Sequence, residues 1–231
     1  MADNATSASY SWSFVRNSEH KPPGIPAAAA ELLAAYPALY LGDASQNQVY
    51  LTFDCGYELG YAPAVLDTLA AHDVPALFFL TGHYVTSQPD LVLRMRDEGH
   101  MLGNHTYNHP DPTAIAREEL ARELESLNTA CIALTGQPLE PYMRPPAGKF
   151  SAQSLRWTGE LGYTSVFWSM AFHDWDPNDQ PGADWVYQHV TANIHPGAVI
   201  LLHIVSQSDT EALERIIIDL KAQGYTFAAL Q

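Results

Sequence analysis

The chain has 231 residues, of which 47% are apolar, so it is long enough for one large α/β domain with a substantial core. Its formal net charge of −15 argues against nucleic acid and anionic membranes as partners, because both repel a strongly acidic protein. A chain of this size does not need a disulfide scaffold from its two cysteines, and no apolar run is long enough to span a membrane.

The N-terminal segment predicts an arm that lies on the main domain. Residues 1–26 are polar and interrupted by three prolines, and residues 27–41 predict a surface helix followed by a short entry strand. We therefore expect an arm over residues 1–44 that packs on one main domain over residues 45–231. The first residues lack the basic start and apolar core of a secretory signal, which leaves two interpretations: an internal protein, or one whose signal was removed.

Short strands and longer helices alternate through the rest of the chain. The apolar runs that predict strands lie at residues 49–53, 76–80, 100–104, 141–144, 164–169, 198–202 and 225–230. The stretches that predict helices lie at residues 61–72, 89–98, 113–134, 151–161, 184–194 and 209–223. This alternation predicts a parallel α/β sheet that closes or nearly closes into a barrel, with an open doubly wound sheet as the alternative.

The longest predicted helix has one buried stripe and one acidic face. Pro112 and Thr113 predict its start and Gly136 predicts its end. Apolar residues at three- to five-residue steps predict the buried stripe. The acidic residues Glu118, Glu119, Glu123 and Glu125 predict a solvated face without a functional role.

Four short segments with reactive side chains follow or end predicted strands. They are TFDCGYE at 52–58, NHTYNHP at 104–110, MRPPAGKFS at 143–151 and ILLHIVS at 200–206. Barrel enzymes collect their catalytic groups from the carboxyl ends of several strands. The pattern therefore favours a metal-assisted or acid–base hydrolase.

Two histidines and a carboxylate suggest a metal centre with a general base. His105 and His109 are four residues apart, which suits two nitrogen ligands on one zinc ion, although both could also be surface or capping residues. Asp54 ends the first predicted strand, where it could accept a proton from water or form a turn. With a metal nearby, we favour the base.

Three further residues complete a predicted acid–base set. Arg144 is followed by Pro145 and Pro146, which stiffen its turn, and it could hold Asp54 ionised. His203 ends a very apolar strand and is a candidate general acid, with Asp174 as the carboxylate that raises its pKa.

Five motifs of this chain resemble, in the same order, those of the polysaccharide deacetylases: TFDCG, HTYNHP, RPPAG, HDW and LLH. This family is also called carbohydrate esterase family 4, with the NodB-homology fold, and the resemblance implies an irregular (β/α)7-type barrel. Four further segments are similar to segments of the delta-lactam-biosynthetic de-N-acetylases: SWSF, FFLTGH, RMRDEGH and VFWSMAFHDW. That similarity implies removal of acetyl groups from N-acetylmuramic acid in peptidoglycan, on the route to the muramic δ-lactam of spore cortex, by an exported protein of the cell envelope.

The resemblance also implies roles for individual residues. It implies a divalent metal, in our interpretation zinc, but the family's second aspartate is replaced by Cys55. Cys55 could be a third ligand beside His105 and His109, which we favour, or a buried thiol. A backbone N–H near Tyr107 would bind the oxyanion.

The expected substrate site adds four residues to this set. Pro146 and Trp175 would line the sugar site, and Trp175 could equally be a core residue. Lys149 or Arg156 would bind the lactyl carboxylate of muramic acid.

Several functions remain open at this level. The expected partner is a peptidoglycan strand bound by a monomer, but a chitin-type N-acetylglucosamine deacetylase, a metal-independent cyclic amidase and an inactive glycan-binding module are alternatives. A binding module has no need of both a base and an acid. The presence of Asp54, Arg144, Asp174 and His203 therefore favours an enzyme.

Overall fold

The computed structural model describes residues 8–16 and 19–230. The strands are β1 (Tyr10–Ser11), β2 (Ala38–Leu39), β3 (Gln48–Cys55), β4 (Ala76–Leu80), β5 (Met101–Asn104), β6 (Tyr142–Met143), β7 (Lys149–Phe150), β8 (Thr164–Val166), β9 (Ala198–His203) and β10 (Thr226–Phe227). The helices are α1 (Ala27–Ala35), α2 (Ala62–Ala71), α3 (Gly82–Ser87), α4 (Pro89–Asp97), α5 (Arg117–Thr135), α6 (Ala152–Glu160), α7 (Ala183–Asn193) and α8 (Gln207–Ala222). A short 3₁₀ helix covers Pro146–Gly148.

The main sheet is parallel and curls towards closure. Its order runs β10–β3–β4–β5–β6–β8–β2, and β9 pairs with β3 over six residues. Met170, just after β8, forms a parallel bridge to Ile200 of β9, which joins the two ends of the curl. The seven predicted strands and the irregular barrel are confirmed, and the open doubly wound sheet is wrong.

The two faces of β3 have different chemistry because side chains alternate along a strand. Val49, Leu51, Phe53 and Cys55 belong to the main core cluster, which also contains apolar residues of α2 and α8. Thr52 and Asp54, on the opposite face, are buried polar residues that point into the barrel. One strand therefore supplies both the helix-facing core and the floor of the barrel.

The described part of the N-terminal arm packs on the domain. β1 pairs antiparallel with β7, and the buried Trp12 stacks on Phe167 with ring centroids 4.5 Å apart. The Trp12 Nε1 donates to the Trp168 carbonyl at 2.8 Å. The sheet begins with β2, before the expected domain boundary at residue 44, and residues 1–7 of the predicted arm lie outside the described residues.

Helix α5 begins later than predicted. The carboxylate of Asp111 accepts hydrogen bonds from the Thr113 N–H at 2.8 Å and its hydroxyl at 2.7 Å, and this turn delays the helix to Arg117. Gly136 ends the helix with φ 74°, as expected. Among the described residues no helix is long and apolar enough to cross a membrane.

Candidate active site

A cleft of about 1110 Å³ opens at the carboxyl ends of the parallel strands. Its lining includes Asp54, Tyr57, Gly82, His83, His105, Tyr107, His109, Ala147, Trp168, Ala171, Phe172, Trp175 and His203. Residues from the ends of β3, β5 and β9 thus meet in one place, as the strand-end motifs predicted.

Asp54 is held by a buried arginine. Arg144 directly follows β6 and is fully buried, and its Nη1 donates to Asp54 Oδ1 at 2.8 Å. Its other nitrogens donate to the Thr52 hydroxyl at 2.8 Å and the Val166 carbonyl at 3.2 Å, so the guanidinium has one orientation. Burial alone would raise the pKa of Asp54, but Arg144 and the nearby histidines outweigh it and lower that pKa. Asp54 is therefore ionised, as a base must be.

His203 is held by a second buried carboxylate. Its Nδ1 donates to Asp174 Oδ1 at 2.7 Å, and its backbone N–H donates to Asp174 Oδ2 at 2.8 Å. Burial would lower the pKa of His203, but Asp174 outweighs burial and raises it. The register of β3 and β9 pairs Asp54 with His203, so the base and the protonated imidazole lie side by side.

The two histidines of the segment after β5 are brought together by an unusual backbone. Thr106 and His109 have φ of 63° and 58°, a left-handed conformation that is costly for residues other than glycine. The rings of His105 and His109 meet edge to face with centroids 4.7 Å apart. Burial lowers the pKa of His105 to about 4, so this ring is neutral at ordinary pH.

A buried glutamate clamps this segment, a role that the sequence did not predict. Glu123 of α5 accepts hydrogen bonds from the Asn108 backbone N–H and side-chain amide, both at 2.7 Å. Glu123 is only 9% exposed, so its expected place on a solvated face is wrong. The sequence did not distinguish Glu123 from the other acidic residues of α5, because its partner Asn108 lies fifteen residues earlier in a loop.

The orientation of His105 fits a cation. Its Nδ1 donates to the Arg144 carbonyl at 2.8 Å, so the Nε2 of the neutral ring carries a lone pair. That Nε2 lies 3.5 Å from Asp54 Oδ2, which is also an acceptor. The His105 Nε2 and the Asp54 carboxylate thus face each other as two acceptors, and the His109 ring lies beside them. This arrangement suits a divalent metal such as zinc held by His105 and His109.

Cys55 is not brought to the two histidines. Its Sγ lies in the main core cluster, on the face of β3 opposite to Asp54. Burial, together with Asp54 and Glu58, raises the pKa of this thiol well above its ordinary value, which disfavours a thiolate. Within the described residues no three His, Cys, Asp or Glu side chains form a metal site, so the expected Cys-His-His set is not assembled.

Tyr107 lines the cleft and, within the described residues, has a backbone N–H that is free to donate. Its carbonyl accepts from the Gly82 N–H at 3.0 Å, and its ring covers Gly82 so closely that a Cβ there would come within 2.6 Å of it. In the described part of the chain the Tyr107 N–H itself has no hydrogen-bond acceptor. Gly82 therefore fixes Tyr107 and leaves this donor available.

The remaining predicted substrate residues occupy different positions. Trp175 is 56% exposed in the cleft wall and contacts the His173 ring at 4.5 Å. Pro146 is buried, and it is Ala147, with φ 52°, and Gly148 that reach the cleft. Lys149 is half-buried in β7 and does not line the cleft.

A second aromatic pair lies in the cleft wall and was not predicted. Tyr57 is 67% exposed and contacts the His83 ring at 4.8 Å. Both residues line the cleft with Trp175. Tyr57 lies in the motif TFDCGYE and His83 ends the motif FFLTGH, but neither motif indicated that the two rings would meet.

Comparison with known proteins places these observations in a family. The family model described as polysaccharide deacetylase matches residues 42–166. The peptidoglycan-N-acetylmuramic acid deacetylase PdaA of Bacillus subtilis is 47% identical over 219 residues, covering 95% of this chain and 83% of that protein. Its solved structure, a family 4 carbohydrate esterase, matches with a TM-score of 0.92 over 95% of this chain and 94% of that one. A peptidoglycan-N-acetylglucosamine deacetylase of Bacillus cereus is 34% identical over 199 residues, covering 84% of this chain and 71% of that protein.

Proposed function

The chain belongs to the polysaccharide deacetylase family, and from that premise we propose that it removes acetyl groups from N-acetylmuramic acid residues of peptidoglycan. It is a hydrolase of the N-deacetylase type. The observation that carries the proposal is the pairing of Asp54 with Arg144 beside the pairing of His203 with Asp174 in one cleft. The choice of sugar rests on the likeness to the muramic acid deacetylase.

The reaction needs one base and one acid. Asp54, ionised, takes a proton from the water that attacks the acetamide carbonyl, while Arg144 keeps the carboxylate oriented. The Tyr107 N–H donates to the carbonyl oxygen as negative charge develops on it. His203 gives a proton to the departing nitrogen, and Asp174 stabilises the imidazolium before that transfer. The C–N bond breaks, and acetate and the free amine leave.

A metal would assist this chemistry without replacing it. His105 and His109 would hold a divalent ion, which when bound polarises the carbonyl and lowers the pKa of a water molecule. The bond from His105 to the Arg144 carbonyl orients the His105 ring, and the Glu123 clamp on Asn108 holds the backbone next to His109. Such outer partners orient metal-binding imidazoles and raise their affinity for the ion.

Muramic acid differs from glucosamine by a lactyl carboxylate, which calls for a cation near the cleft. Arg144 is fully buried against Asp54, and Arg156 contacts Glu160 at 3.9 Å, so Lys149 is the candidate of the predicted pair. Lys149 does not itself line the cleft, but it directly follows Ala147 and Gly148, which do. Arg16 of the arm is a second candidate because its Nη2 donates to the carbonyl of Ala171, a cleft residue, at 2.6 Å. Each candidate is tested by replacement with glutamine. The residue that binds the lactyl carboxylate should raise KM for muramyl glycan when it is replaced and leave KM for chitin oligomers unchanged.

The proposal is tested by acetate release from peptide-free peptidoglycan strands, with chitin oligomers as the comparison substrate and added zinc in both. We expect release from the muramyl glycan and at least about tenfold slower release from chitin, as one unmatched charge would cause. Faster release from chitin would reassign the protein to glucosamine substrates. Release from neither would contradict deacetylase activity. The substrate and the likeness to a peptidoglycan enzyme also support a place in the cell envelope.

A further inference from the structure

A third carboxyl group lies behind the acid half of the cleft, and the mechanism above does not use it. Asp209 is the third residue of α8 and only 3% exposed. Within the described residues neither of its oxygens accepts a hydrogen bond from an N–H or O–H group. An ionised carboxylate buried without donors costs several kcal/mol or more, so the group must be neutral or share a proton.

The start of α8 does not supply the missing donors. A carboxylate at this helix position usually accepts from the N-cap backbone N–H. Here that N–H, on Ser206, donates instead to the His203 carbonyl at 3.0 Å. The Ser206 hydroxyl donates to Gln180 Oε1 at 2.8 Å and accepts from the Asp209 N–H at 3.1 Å. The donors of this turn thus make their well-formed hydrogen bonds elsewhere, and the Ser206 hydroxyl and the His203 backbone N–H oppose the raised pKa of Asp209 without outweighing its burial and Asp174.

The Asp209 carboxyl lies within hydrogen-bonding reach of Asp174, which would accept a bond from it if it carried a proton. Two carboxyl groups in contact cannot both be ionised, so one proton lies between them. Asp174 accepts two well-formed hydrogen bonds from His203, which stabilise its charge, whereas neither oxygen of Asp209 accepts a bond of comparable geometry. The proton therefore resides on Asp209, in agreement with the raised pKa that burial and then Asp174 give this group.

We propose that Asp209 is a positioning residue that stays protonated and donates a hydrogen bond to Asp174, forming a chain from Asp209 through Asp174 to His203. The bond fixes the Asp174 carboxylate and withdraws part of its electron density. It thereby moderates how strongly Asp174 holds the proton of His203. A general acid held too tightly by its carboxylate would be slow to release that proton to the leaving amine.

The charged groups around His203 set the direction of the expected effect. Asp174 faces it from the segment before α7, Asp54 from β3, Arg144 from the turn after β6, and His109 also acts on it. Removing the Asp209 donor leaves more negative charge on the Asp174 oxygens that face His203 and does not alter the other three groups. The pKa of His203 should then rise, and the alkaline limb of the rate profile should move to higher pH.

Two variants separate a hydrogen-bond donor from a charge. Asp209→Ala removes the donor, and we expect kcat to fall about tenfold and the alkaline limb to rise by about one pH unit, as loss of one hydrogen bond to a charged group implies. Asp209→Asn keeps a neutral donor and should restore most of kcat and the original pH profile. Thr210→Ala, one residue further along α8, is the matched control for a change in the first turn of the helix. An Asn variant as impaired as the Ala variant, or an Ala variant with an unchanged profile, would overturn the proposal.

A second measurement does not depend on activity. The infrared spectrum of the wild-type protein at neutral pH should contain the carbonyl band of a protonated carboxylic acid, and Asp209→Asn should lack it. A spectrum without that band, or a band that persists in the Asn variant, would refute the protonated Asp209. The pH-profile test rests on the proposed role of His203, whereas the infrared result stands even if the deacetylase assignment fails.

Discussion

The two halves of the cleft use the same residue type for opposite purposes. Asp54 and Asp174 are both buried aspartates, with 8% and 0% exposure. Asp54 is paired with Arg144, whose guanidinium never gives up its proton, so the carboxylate itself remains free to accept one. Asp174 is paired with His203, whose imidazole does exchange its proton, so the carboxylate serves to charge the ring.

The partner, and not the carboxylate, therefore decides which half is the base and which is the acid. Burial alone would raise the pKa of Asp54, and Arg144 opposes that shift. Burial alone would lower the pKa of His203, and Asp174 opposes that shift. The pKa of Asp54 is lowered and the pKa of His203 is raised. One site can therefore take a proton and give a proton at the same pH. Replacing either aspartate by asparagine should therefore have different consequences.

The largest effect is expected for the base half. Asp54→Asn removes the proton acceptor and leaves the buried Arg144 without its counter-ion, so kcat for acetate release should fall about 10⁴-fold. Asp97→Asn, at the exposed end of α4, is the control for loss of a surface carboxylate. Residual activity within about tenfold of wild type would show that another group is the base.

The acid half should lose less rate but show a shift in pH dependence. Asp174→Asn removes the charge that raises the pKa of His203, so the imidazole loses its proton at lower pH and the alkaline limb moves to lower pH. We expect kcat to fall about 10³-fold, within the range for general acid catalysis. An unchanged alkaline limb would mean that His203 is not the acid.

A smaller effect is expected from the clamp behind the histidines. Glu123→Gln places an amide donor against the Asn108 donors, which loosens the segment that holds His105 and His109. Zinc affinity, measured by competition with a chelator, should fall about tenfold, as for other outer partners of metal-binding histidines. Glu125→Gln, an exposed neighbour on α5, should leave the affinity unchanged. Equal affinities in both variants would remove Glu123 from the site.

The smallest effect on the site is expected for the residue next to the base. Cys55→Ser introduces a hydroxyl into the core, so unfolding should require about 1–3 kcal/mol less free energy while zinc affinity stays unchanged. Chemical denaturation and metal competition measure the two quantities. A tenfold loss of zinc affinity would restore Cys55 as a ligand, the role that we first favoured.

These residues also show how far the sequence alone could go. The ends of parallel strands converge, so Asp54, His105, Arg144 and His203 could be placed together from their motifs. The sequence also indicates which face of β3 carries Cys55, because Val49, Leu51 and Phe53 alternate with Thr52 and Asp54. The resemblance to the family motif nevertheless favoured a metal ligand over this alternation. Glu123 and Asp209 could not be found, since their partners come from distant segments and neither residue breaks the local helix pattern.

The most direct test of the division between the two halves is an ¹⁵N NMR titration of His203, assigned by its loss in His203→Gln. We predict a pKa above the ordinary histidine value of 6.5 in the wild-type protein, and a pKa below the wild-type value in Asp174→Asn. A wild-type pKa below 6.5 would contradict the claim that Asp174 keeps the acid half protonated.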